Sequence, residues 1–505
     1  MTGGNMADSN NKSLEEDRSA KTDNSAGGGK AVEHLTAGEP AAAAEPAAAA
    51  AAARLAELIR IPTVSSYNPE DEDELLFKKI PGLLEKLYPN AHAAMSREIV
   101  GERAIVYRWE GHDPEKLPVL GLAHYDVVPA GDKTAWKHKP FSGEIIDGRI
   151  YGRGTLDDKG MLVSWMEAVE RLSAKGIKPR RTVYLAFGGD EETTGVRGAR
   201  KVASLFEERG LRFSFILDEG GAVAVDQLSS FTKRPVALFG CAEKGYLTLK
   251  ITAQGSGGHA SAPPKHSAVG RLSQAVAALE ASPFPMKLTS VPEGMLRALG
   301  QDIGGAKGFV LRHPRLFLRT ILANLGRDGT TASMVRTTLA PTVLRAGERD
   351  NVLPETAEAS VNIRILPGET VAGTVDRVKK IIDSAVDSTG DSGVDSTVAA
   401  PVNVTEVEGS VFEPVPAGPM SGPTWNTMAQ EVKRVWPEAI VAPYLMTATT
   451  DSRWYRNLSK NIYRFIPMEV TAEEAKAVHS VNESISIAAW EKSIDFLSGL
   501  LENLD

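Results

Sequence analysis

Short apolar runs alternate with amphipathic stretches through the first half of the chain. Residues 119–123, 182–187 and 213–217 form runs with the length and the branched or aromatic content of buried strands. Between them, apolar residues at three- and four-residue spacing predict helices over 162–172 and from about 196 to 209. An order of strand, helix, strand, helix, strand is typical of parallel strands joined by right-handed crossovers. The pattern therefore predicts an α/β fold built on a mostly parallel sheet.

The pattern changes from about residue 243. Residues 246–252 and 357–365 alternate between apolar and polar positions, as strands of a half-exposed antiparallel sheet do. The stretch 283–325 carries large apolar residues with prolines between them, which predicts several short helices, and residues 370–386 have the spacing of a longer helix. Strands followed by helices predict a separate α+β domain that is inserted into the first.

These changes of pattern divide the chain into segments. Residues 1–45 contain few large apolar side chains and predict a disordered tail. The parallel-sheet domain is expected to comprise residues 46–242 and 410–505, and the inserted domain residues 243–409. The segment 383–396 is rich in Ser, Asp, Thr and Gly, which predicts a loop.

Composition narrows the class of protein. The chain has 505 residues, 42% of them hydrophobic and 24% charged, which is ordinary for a globular protein of more than one domain. Its formal net charge of -8 argues against nucleic acid as a partner, because phosphate binding needs clustered Lys and Arg. The single cysteine, Cys241, excludes an internal disulfide. No stretch reaches the ~20 apolar residues of a membrane span, and the polar N-terminus does not resemble a secretory leader, so we expect a cytoplasmic protein.

Acidic residues or a histidine follow each of the first three predicted strands. His124 and Asp126 follow the first, Asp190–Glu192 the second and Asp218–Glu219 the third, while Asp157 lies between the first two. The carboxyl ends of parallel strands meet at one edge of the sheet, where ligands bind. Carboxylates at this density repel one another unless a cation lies among them. A solvated acidic loop is the alternative for any one segment, but their recurrence at strand ends favours a metal site.

The first of these segments has a spacing that suits a metal ligand. His124 and Asp126 are two residues apart, so in an extended chain their side chains point to the same side. Asp126 can then hold one imidazole nitrogen of His124 while the other nitrogen binds a metal ion. A His-x-Asp sequence alone is weak evidence for a metal site, and the neighbouring acidic segments strengthen that evidence here.

Four further motifs carry a resemblance to a known family. They are Asp-Glu-Gly-Gly at 218–221, Gly-His-Ala-Ser-Ala-Pro-Pro at 258–264, Thr-Asp-Ser-Arg at 450–453 and His-Ser-Val-Asn-Glu at 479–483. From about residue 50 onward, the chain resembles the dinuclear-zinc metallopeptidases and deacylases that include aminoacylase I, carboxypeptidase S and glutamate carboxypeptidase. It is most similar to the carboxypeptidase S branch, which also holds the N-fatty-acyl-amino-acid synthase/hydrolase. The resemblance implies an α/β/α catalytic domain with an inserted α+β lid and dimerisation domain.

The resemblance also implies two bound metal ions. Its ligand set is His124 and Asp218 for one ion, Glu192 and His479 for the other, and Asp157 as the bridge between them. Glu219 stays open as the alternative to Asp218. Histidines and carboxylates without cysteine suit zinc, with cobalt and manganese as alternatives. A cis peptide bond is expected between Asp157 and Asp158.

Catalytic roles are carried over in the same way. Glu191 would be the general base, Asp126 would orient His124, and His259 in the inserted domain would stabilise the oxyanion. An Arg fork is the expected partner of a substrate carboxylate, although a salt bridge within the protein is an equal alternative for an arginine. The residues implied in substrate binding are Asn351, Arg364 and Arg453.

These roles predict a metal-dependent hydrolase that cleaves an amide bond next to a free carboxylate. N-acyl amino acids and short peptides cleaved from the C-terminus compete as its small-molecule substrates. The apolar stretch 283–325 favours N-acyl amino acids if it lines an acyl-chain pocket, but it could equally be core of the lid. A non-catalytic binding protein on the same fold is a further alternative, which the full set of ligands and base disfavours. A homodimer through the lid domain is also considered.

Overall fold

The computed structural model describes residues 46–387 and 402–504. The predicted tail 1–45 and most of the predicted loop 383–396 lie outside these described residues, so both stay predictions. Among the helices that the structure describes, none combines the length and the apolar character that crossing a membrane requires.

The helices follow the amphipathic segments of the sequence to within a few residues. Several begin at a side chain that accepts a hydrogen bond from a first-turn backbone N–H, as Ser267 and Ser486 do. The α-helices are α1 (Pro46–Ile59), α2 (Glu74–Leu87), α3 (Pro89–Ala94), α4 (Lys159–Ala174), α5 (Ala199–Glu208), α6 (Ala268–Ala281), α7 (Ser290–Asp302), α8 (Gly305–Arg312), α9 (Leu318–Leu325), α10 (Gly329–Ser333), α11 (Val371–Asp387), α12 (Pro423–Val435), α13 (Ala472–Ala477) and α14 (Ile487–Glu502). Short 3₁₀ helices span Pro69–Asp71, Lys133–Ala135, Glu191–Thr193 and Asp451–Tyr455.

The strands form one large sheet, one smaller sheet and two short ribbons. They are β1 (Met95–Val100), β2 (Ala104–Trp109), β3 (Val119–His124), β4 (Glu144–Ile146), β5 (Arg149–Tyr151), β6 (Val183–Gly188), β7 (Ile216–Ala224), β8 (Val236–Glu243), β9 (Gly245–Gln254), β10 (Gly258–His259), β11 (Thr338–Ala346), β12 (Val352–Leu353), β13 (Thr356–Ile365), β14 (Val402–Phe412), β15 (Ile440–Met446), β16 (Ile462–Val470) and β17 (Ser484–Ser486).

The large sheet has eight strands in the order β1-β2-β6-β3-β7-β16-β8-β15. Strands β3, β6, β7 and β16 run parallel, which confirms the predicted succession β3-α4-β6-α5-β7. At one edge the hairpin β1–β2 pairs antiparallel with β6, and at the other β8 runs antiparallel to β7 while β15 runs parallel to β8. The sheet is mixed but mostly parallel, as expected.

Helices cover both faces of the large sheet. Along β3, Val119 and Ala123 belong to the core beneath α1, α4 and α14, whereas Leu120 and Leu122 belong to the core beneath α5. Successive side chains of a strand point to opposite faces, so a strand covered on both sides is apolar throughout. This explains the continuous apolar run of β3 and confirms the α/β/α sandwich.

The smaller sheet has four antiparallel strands in the order β11-β13-β9-β14. Burial alternates at every residue of β13, as the alternating sequence predicts. Helices α6 and α11 pack on the buried face and form a core separate from that of the large sheet. The chain passes from the large sheet to the small one at Lys244, between β8 and β9. The inserted domain is predicted to begin at residue 243, beside this link, and both of its boundaries stay predictions.

The predicted short helices of residues 283–325 are α7, α8 and α9. Met295 and Leu299 of α7 pack in one cluster with Val236 of β8 and Ile440 of β15. These side chains therefore cover the edge of the large sheet and belong neither to an acyl-chain pocket nor to the core of the smaller sheet.

Candidate metal centre

Several chain segments meet at the carboxyl edge of the parallel strands. Strand β3 ends at His124, and the turn after β6 forms the 3₁₀ helix Glu191–Thr193. The loop between β5 and α4 carries Asp157, which is joined to Asp158 by the expected cis peptide bond. The turn that follows α13 carries His479. The structure thus brings together residues from distant parts of the sequence, as the metal-site prediction requires.

Asp157 lies between the two histidines. Its Oδ1 atom is 2.9 Å from Nε2 of His124, and its Oδ2 atom is 2.9 Å from Nε2 of His479. Each histidine has one further carboxylate beside it. Glu219 Oε1 lies 3.5 Å from Nε2 of His124, and Glu192 Oε1 lies 3.1 Å from Nε2 of His479. One carboxylate therefore serves two groups of side chains, with one oxygen for each.

Both groups have the composition of a metal site. The ligand atoms of His124, Asp157 and Glu219 all lie within 4.8 Å of one another, and so do those of Asp157, Glu192 and His479. Imidazole nitrogen and carboxylate oxygen are the donors that zinc binds in proteins when no cysteine is present. The donor set therefore fits two divalent cations that share Asp157.

The carboxylates of the two groups are crowded and mostly buried. Burial raises the pKa of Glu219 well above its usual value and also raises that of Glu192, and the charge of Asp157 adds to both shifts. Burial would raise the pKa of Asp157 too, but the hydrogen bonds with His124 and His479 outweigh it and lower that pKa. Hydrogen bonds with Asp157 and Glu192 raise the pKa of His479 to about 10. Cations bound here would replace the protons that these groups otherwise hold.

Asp218 lies in neither group, and Glu219 faces His124 in its place. The sequence predicts a strand that ends before Asp218, but β7 continues through both residues. Because successive residues of a strand point to opposite sides, only one of the two can face the histidine. The Asp218 carboxylate instead accepts hydrogen bonds from the backbone N–H groups of Glu219, at 2.9 Å, and Ser452, at 2.7 Å. The ligand prediction is therefore corrected to the alternative that the sequence left open.

Asp126 contacts the other nitrogen of the His124 ring. Nδ1 of His124 lies 3.1 Å from the carbonyl oxygen of Asp126 and 3.3 Å from its Oδ1. The Asp126 carboxylate also accepts hydrogen bonds from the backbone N–H groups of Glu191 and Glu192, both at 3.1 Å, and from the Ser65 hydroxyl at 2.7 Å. Asp126 thus fixes the ring of His124 relative to the acidic turn after β6.

Glu191 is largely buried and belongs to neither group of ligands. Its Oε1 atom lies 3.6 Å from Nη1 of Arg453. Burial raises the pKa of Glu191 well above its usual value and the charge of Asp451 adds to this, while His124 and Arg453 oppose it. A carboxyl group with a raised pKa is suited to accept a proton and return it near neutral pH.

Two of the predicted substrate residues keep unused guanidinium donors. Arg453 donates from Nη1 and Nη2 to the carbonyl oxygens of Thr450 and Thr194, both at 2.7 Å. Arg364 donates from Nε to Asn362 Oδ1 at 3.1 Å. Within the described part of the chain, Nε of Arg453 and Nη1 of Arg364 are buried and have no hydrogen-bond partner. Each arginine therefore keeps one donor nitrogen that no described residue accepts from.

His259 lies on the ribbon that β10 and β12 form, and Asn351 directly precedes β12. The backbone N–H of Ala260 donates to the carbonyl oxygen of Asn351 at 3.1 Å, and Nδ1 of His259 lies 2.7 Å from the hydroxyl of Ser261. His259 is exposed. Among the residues that the structure describes, no hydrogen bond joins His259 or Asn351 to the metal-ligand groups, so the structure does not bring them into contact with the centre.

Sequence reasoning missed two residues that support the centre. Ser65 binds Asp126 from the loop after α1, and nothing in its local sequence marks it. Glu483 is fully buried against the loop that carries Asp157. The sequence does indicate a role for Glu483, because this acidic residue lies four positions after His479 within the same motif.

Comparison with known proteins identifies the family. The model of Peptidase family M20/M25/M40 matches residues 121–503. The chain belongs to this peptidase family. The human N-fatty-acyl-amino acid synthase/hydrolase is 35% identical over 453 residues, which are 88% of this chain and 86% of that protein. Carboxypeptidase S of Saccharomyces cerevisiae is 32% identical, with 90% of this chain and 84% of that protein covered.

Solved structures share the fold. A metallo-carboxypeptidase of the family from Sulfolobus solfataricus gives a TM-score of 0.66 at 18% identity and covers 90% of this chain and 98% of its own. A dinuclear metal-binding peptidase of the family from Bacillus subtilis gives a TM-score of 0.53 at 13% identity, with 90% and 98% covered. The predicted metallopeptidase fold and the resemblance to the carboxypeptidase S branch are confirmed, and the chain is a hydrolase of this class.

Proposed function

We propose that this enzyme hydrolyses the amide bond of N-fatty-acyl amino acids and, in the reverse direction, forms it. The observation that carries the proposal is the pair of ligand groups that share Asp157, with Glu191 buried beside them. The substrate class follows the human N-fatty-acyl-amino acid synthase/hydrolase and its bovine counterpart, which are both 35% identical to this chain. Arg364 and Arg453 are the proposed partners of the substrate's carboxylate, which an N-acyl amino acid always carries, because a guanidinium suits that group.

Two zinc ions are the proposed cofactors. Bound ions would polarise the scissile carbonyl and lower the pKa of the attacking water. Cobalt and manganese stay alternatives for the same donors. The residues that would hold them are His124 and Glu219 for one ion, Glu192 and His479 for the other, and Asp157 for both.

The side chains around the metals would transfer the proton, orient a metal ligand and stabilise the oxyanion. Glu191 accepts a proton from the attacking water and delivers it to the leaving nitrogen, so a C–O bond forms as the C–N bond breaks. Asp126 keeps Nε2 of His124 directed at Asp157 because it holds Nδ1. His259 is proposed to donate a hydrogen bond to the oxyanion, a role that requires its ribbon to approach the centre.

A substrate comparison tests the proposal. The zinc-loaded enzyme is assayed with N-oleoyl-phenylalanine and with an N-blocked dipeptide that has a free carboxylate. We expect kcat/KM for the acyl amino acid to exceed that for the dipeptide by about tenfold or more, which corresponds to ~1.4 kcal/mol of transition-state binding. A preference for the dipeptide would overturn the acyl substrate class. Turnover of neither compound by fully loaded protein would support a non-catalytic role instead.

Carboxypeptidase activity on short peptides is the second candidate. The observation that favours it is the 32% identity to yeast carboxypeptidase S over 90% of this chain. The metal groups and the two arginines would serve this reaction equally, since a peptide's C-terminal residue presents the same carboxylate next to the scissile amide. The two candidates differ only in what lies on the acyl side of the bond.

A homodimer through the smaller sheet is also proposed. Strand β11 lies at the edge of this sheet, and its residues from Thr342 to Ala346 are exposed. Val343 and Leu344 are among the exposed large apolar side chains, with Leu344 64% exposed. A long exposed edge with apolar side chains is a template for pairing with another strand. A second copy of β11 would continue the sheet across the interface.

A further inference from the structure

One buried carboxylate joins the two chain segments that carry Asp157 and His479. Glu483 lies four residues after His479, and its side chain is fully buried. Its Oε2 atom accepts a hydrogen bond from Nη1 of Arg153 at 2.6 Å. Its Oε1 atom accepts from three backbone N–H groups, which belong to Gly154 at 3.1 Å, Leu156 at 2.8 Å and Asp157 at 3.3 Å. All four bonds reach into the loop that presents the shared carboxylate.

Arg153 ties the same loop to the His479 turn a second time. Its Nη2 atom donates to the carbonyl oxygen of Ser480 at 3.0 Å. His479 and Asn482 both have left-handed backbone conformations, with φ of 59° and 64°. Residues other than glycine adopt this region rarely, so surrounding contacts must hold the turn in place. Arg153 and Glu483 supply these contacts at both ends of the turn.

We propose that Glu483 is a positioning residue of the metal centre. Its carboxylate fixes the backbone at Asp157 relative to the turn at His479, so that one oxygen of Asp157 faces each histidine before any ion binds. Glu483 acts through Asp157 and does not belong to either ligand group. The proposal rests on the proposed metal centre and concerns the supporting contacts of that same site.

The charge of Glu483 is essential to this arrangement. An ionised carboxylate only accepts hydrogen bonds, whereas an amide of the same shape also carries two donor hydrogens. In Glu483→Gln, the amide nitrogen must therefore point either at the backbone N–H groups or at the Arg153 guanidinium. Either way donors face donors in a buried site, and the loop must shift away from the His479 turn.

Metal binding by the full chain tests the proposal. The metal-free wild type and Glu483→Gln are titrated with Zn²⁺ against a chelator of known affinity, and the absorption spectra of their Co²⁺ forms are recorded. The matched control is Glu474→Gln, since Glu474 also accepts a hydrogen bond from an arginine, Arg149 at 2.6 Å, but none from the Asp157 loop. We expect Glu483→Gln to lose about 10–100-fold in zinc affinity and to change the Co²⁺ spectrum. The control is expected to keep both.

The possible outcomes separate this inference from the metal centre itself. Zinc affinity and a Co²⁺ spectrum equal to those of the wild type would overturn the positioning role, even if the variant melted at a lower temperature. Wild-type protein that bound no metal would overturn the centre and the inference together. If Glu483→Gln does not fold, Arg153→Met replaces it, because it removes the bonds to Glu483 and Ser480 and leaves the carboxylate. A smaller loss of affinity is then expected, and an unchanged affinity would contradict the proposal.

Discussion

At the scale of single residues, two adjacent glutamates of the acidic turn face different partners. Glu192 lies against His479, while Glu191 lies against Arg453. The 3₁₀ turn that they share rotates each side chain away from the previous one. The two carboxylates are therefore suited to different tasks, one as a metal ligand and the other as a base.

This division predicts opposite effects for two substitutions. Glu191→Gln should keep the metal content and reduce kcat by about 10²–10⁴-fold, because it removes the proton acceptor and leaves the ligands. Glu192→Ala should lose one equivalent of metal, because it removes a carboxylate from one group. Metal analysis and hydrolysis assays on both purified variants measure this. Full activity of Glu191→Gln would contradict the assigned role.

Asp218 and Glu219 are a second pair of adjacent residues for which substitutions should have different effects. Glu219→Ala should weaken metal binding, since it removes a carboxylate beside His124. Asp218→Asn should retain the metal but lose about 1–3 kcal/mol of stability, because an amide cannot accept both backbone N–H bonds. Metal content and the free energy of unfolding of both variants distinguish the two residues. Loss of metal only in Asp218→Asn would reverse the assignment.

Asp218 and Glu219 also show which part of the site the sequence alone could not predict. The edge of the sheet, the acidic segments and the two histidines were predictable from strand order and a family motif. The choice between Asp218 and Glu219 depends on which side of β7 each residue faces, and a shift of one residue in the strand reverses it. The support by Ser65 depends on a loop far away in sequence, which no periodicity can reveal. The contact expected of His259 stays a prediction.

At the scale of elements, the packing of α4 on β3 leaves no room for a side chain at Gly121. A Cβ atom there would lie 2.7 Å from the ring of Trp165 and 2.9 Å from Leu185. Gly121→Ala should therefore cost about 1–3 kcal/mol through overpacking. Gly82→Ala is the matched control, because no atom lies within 4 Å of its Cβ position in α2. It should be neutral or stabilise by up to ~1 kcal/mol. Thermal unfolding at one scan rate measures both, and equal melting temperatures would contradict the packing.

Lys244, the link between β8 and β9, predicts a pH effect. Its Nζ donates to the carbonyl oxygens of Ser333 and Arg336 and to the hydroxyl of Thr338, and burial lowers the pKa of Lys244 to about 7. An unfolded lysine keeps its proton up to about pH 10, so above pH 7 the unfolded state binds more protons than the folded state. Folding stability should then rise with pH between 7 and 10, by at most about 1.4 kcal/mol per unit.

The variant Lys244→Met removes this titration. Denaturant unfolding at pH 7, 8 and 9 should show the wild type gaining stability relative to the variant as the pH rises. A constant difference between the two proteins would show that Lys244 keeps its proton in the folded state.

The elements themselves were predictable where their pattern was regular. Strands β3 and β6 have continuous apolar runs because they are covered on both faces, and β9 and β13 alternate because one face is exposed. Strand β1 was missed, because its four interior residues are all exposed and give no alternation. Its place in the sheet comes from pairing with β2, which is a tertiary contact.

At the scale of the whole molecule, the exposed edge of β11 predicts a dimer. The purified protein should elute with twice its monomer mass in size-exclusion chromatography with light scattering. Leu344→Lys should shift it to the monomer, since a charge at the centre of the edge opposes pairing. Leu117→Lys is the control, because Leu117 is 52% exposed and lies outside the smaller sheet. A monomeric wild-type protein would overturn the proposed dimer. The cytoplasmic location of the protein also stays a prediction.

The wide spacing of the metal ligands along the chain bears on how the enzyme is made. His124, Asp157 and Glu219 are translated before His479, which follows more than two hundred residues later, on the order of ten seconds at ordinary elongation rates. The first group can therefore assemble before the second, because His479 is added to the chain only after all three residues of the first group. A chain that stopped before His479 would lack a histidine of the second group and would therefore hold an incomplete centre.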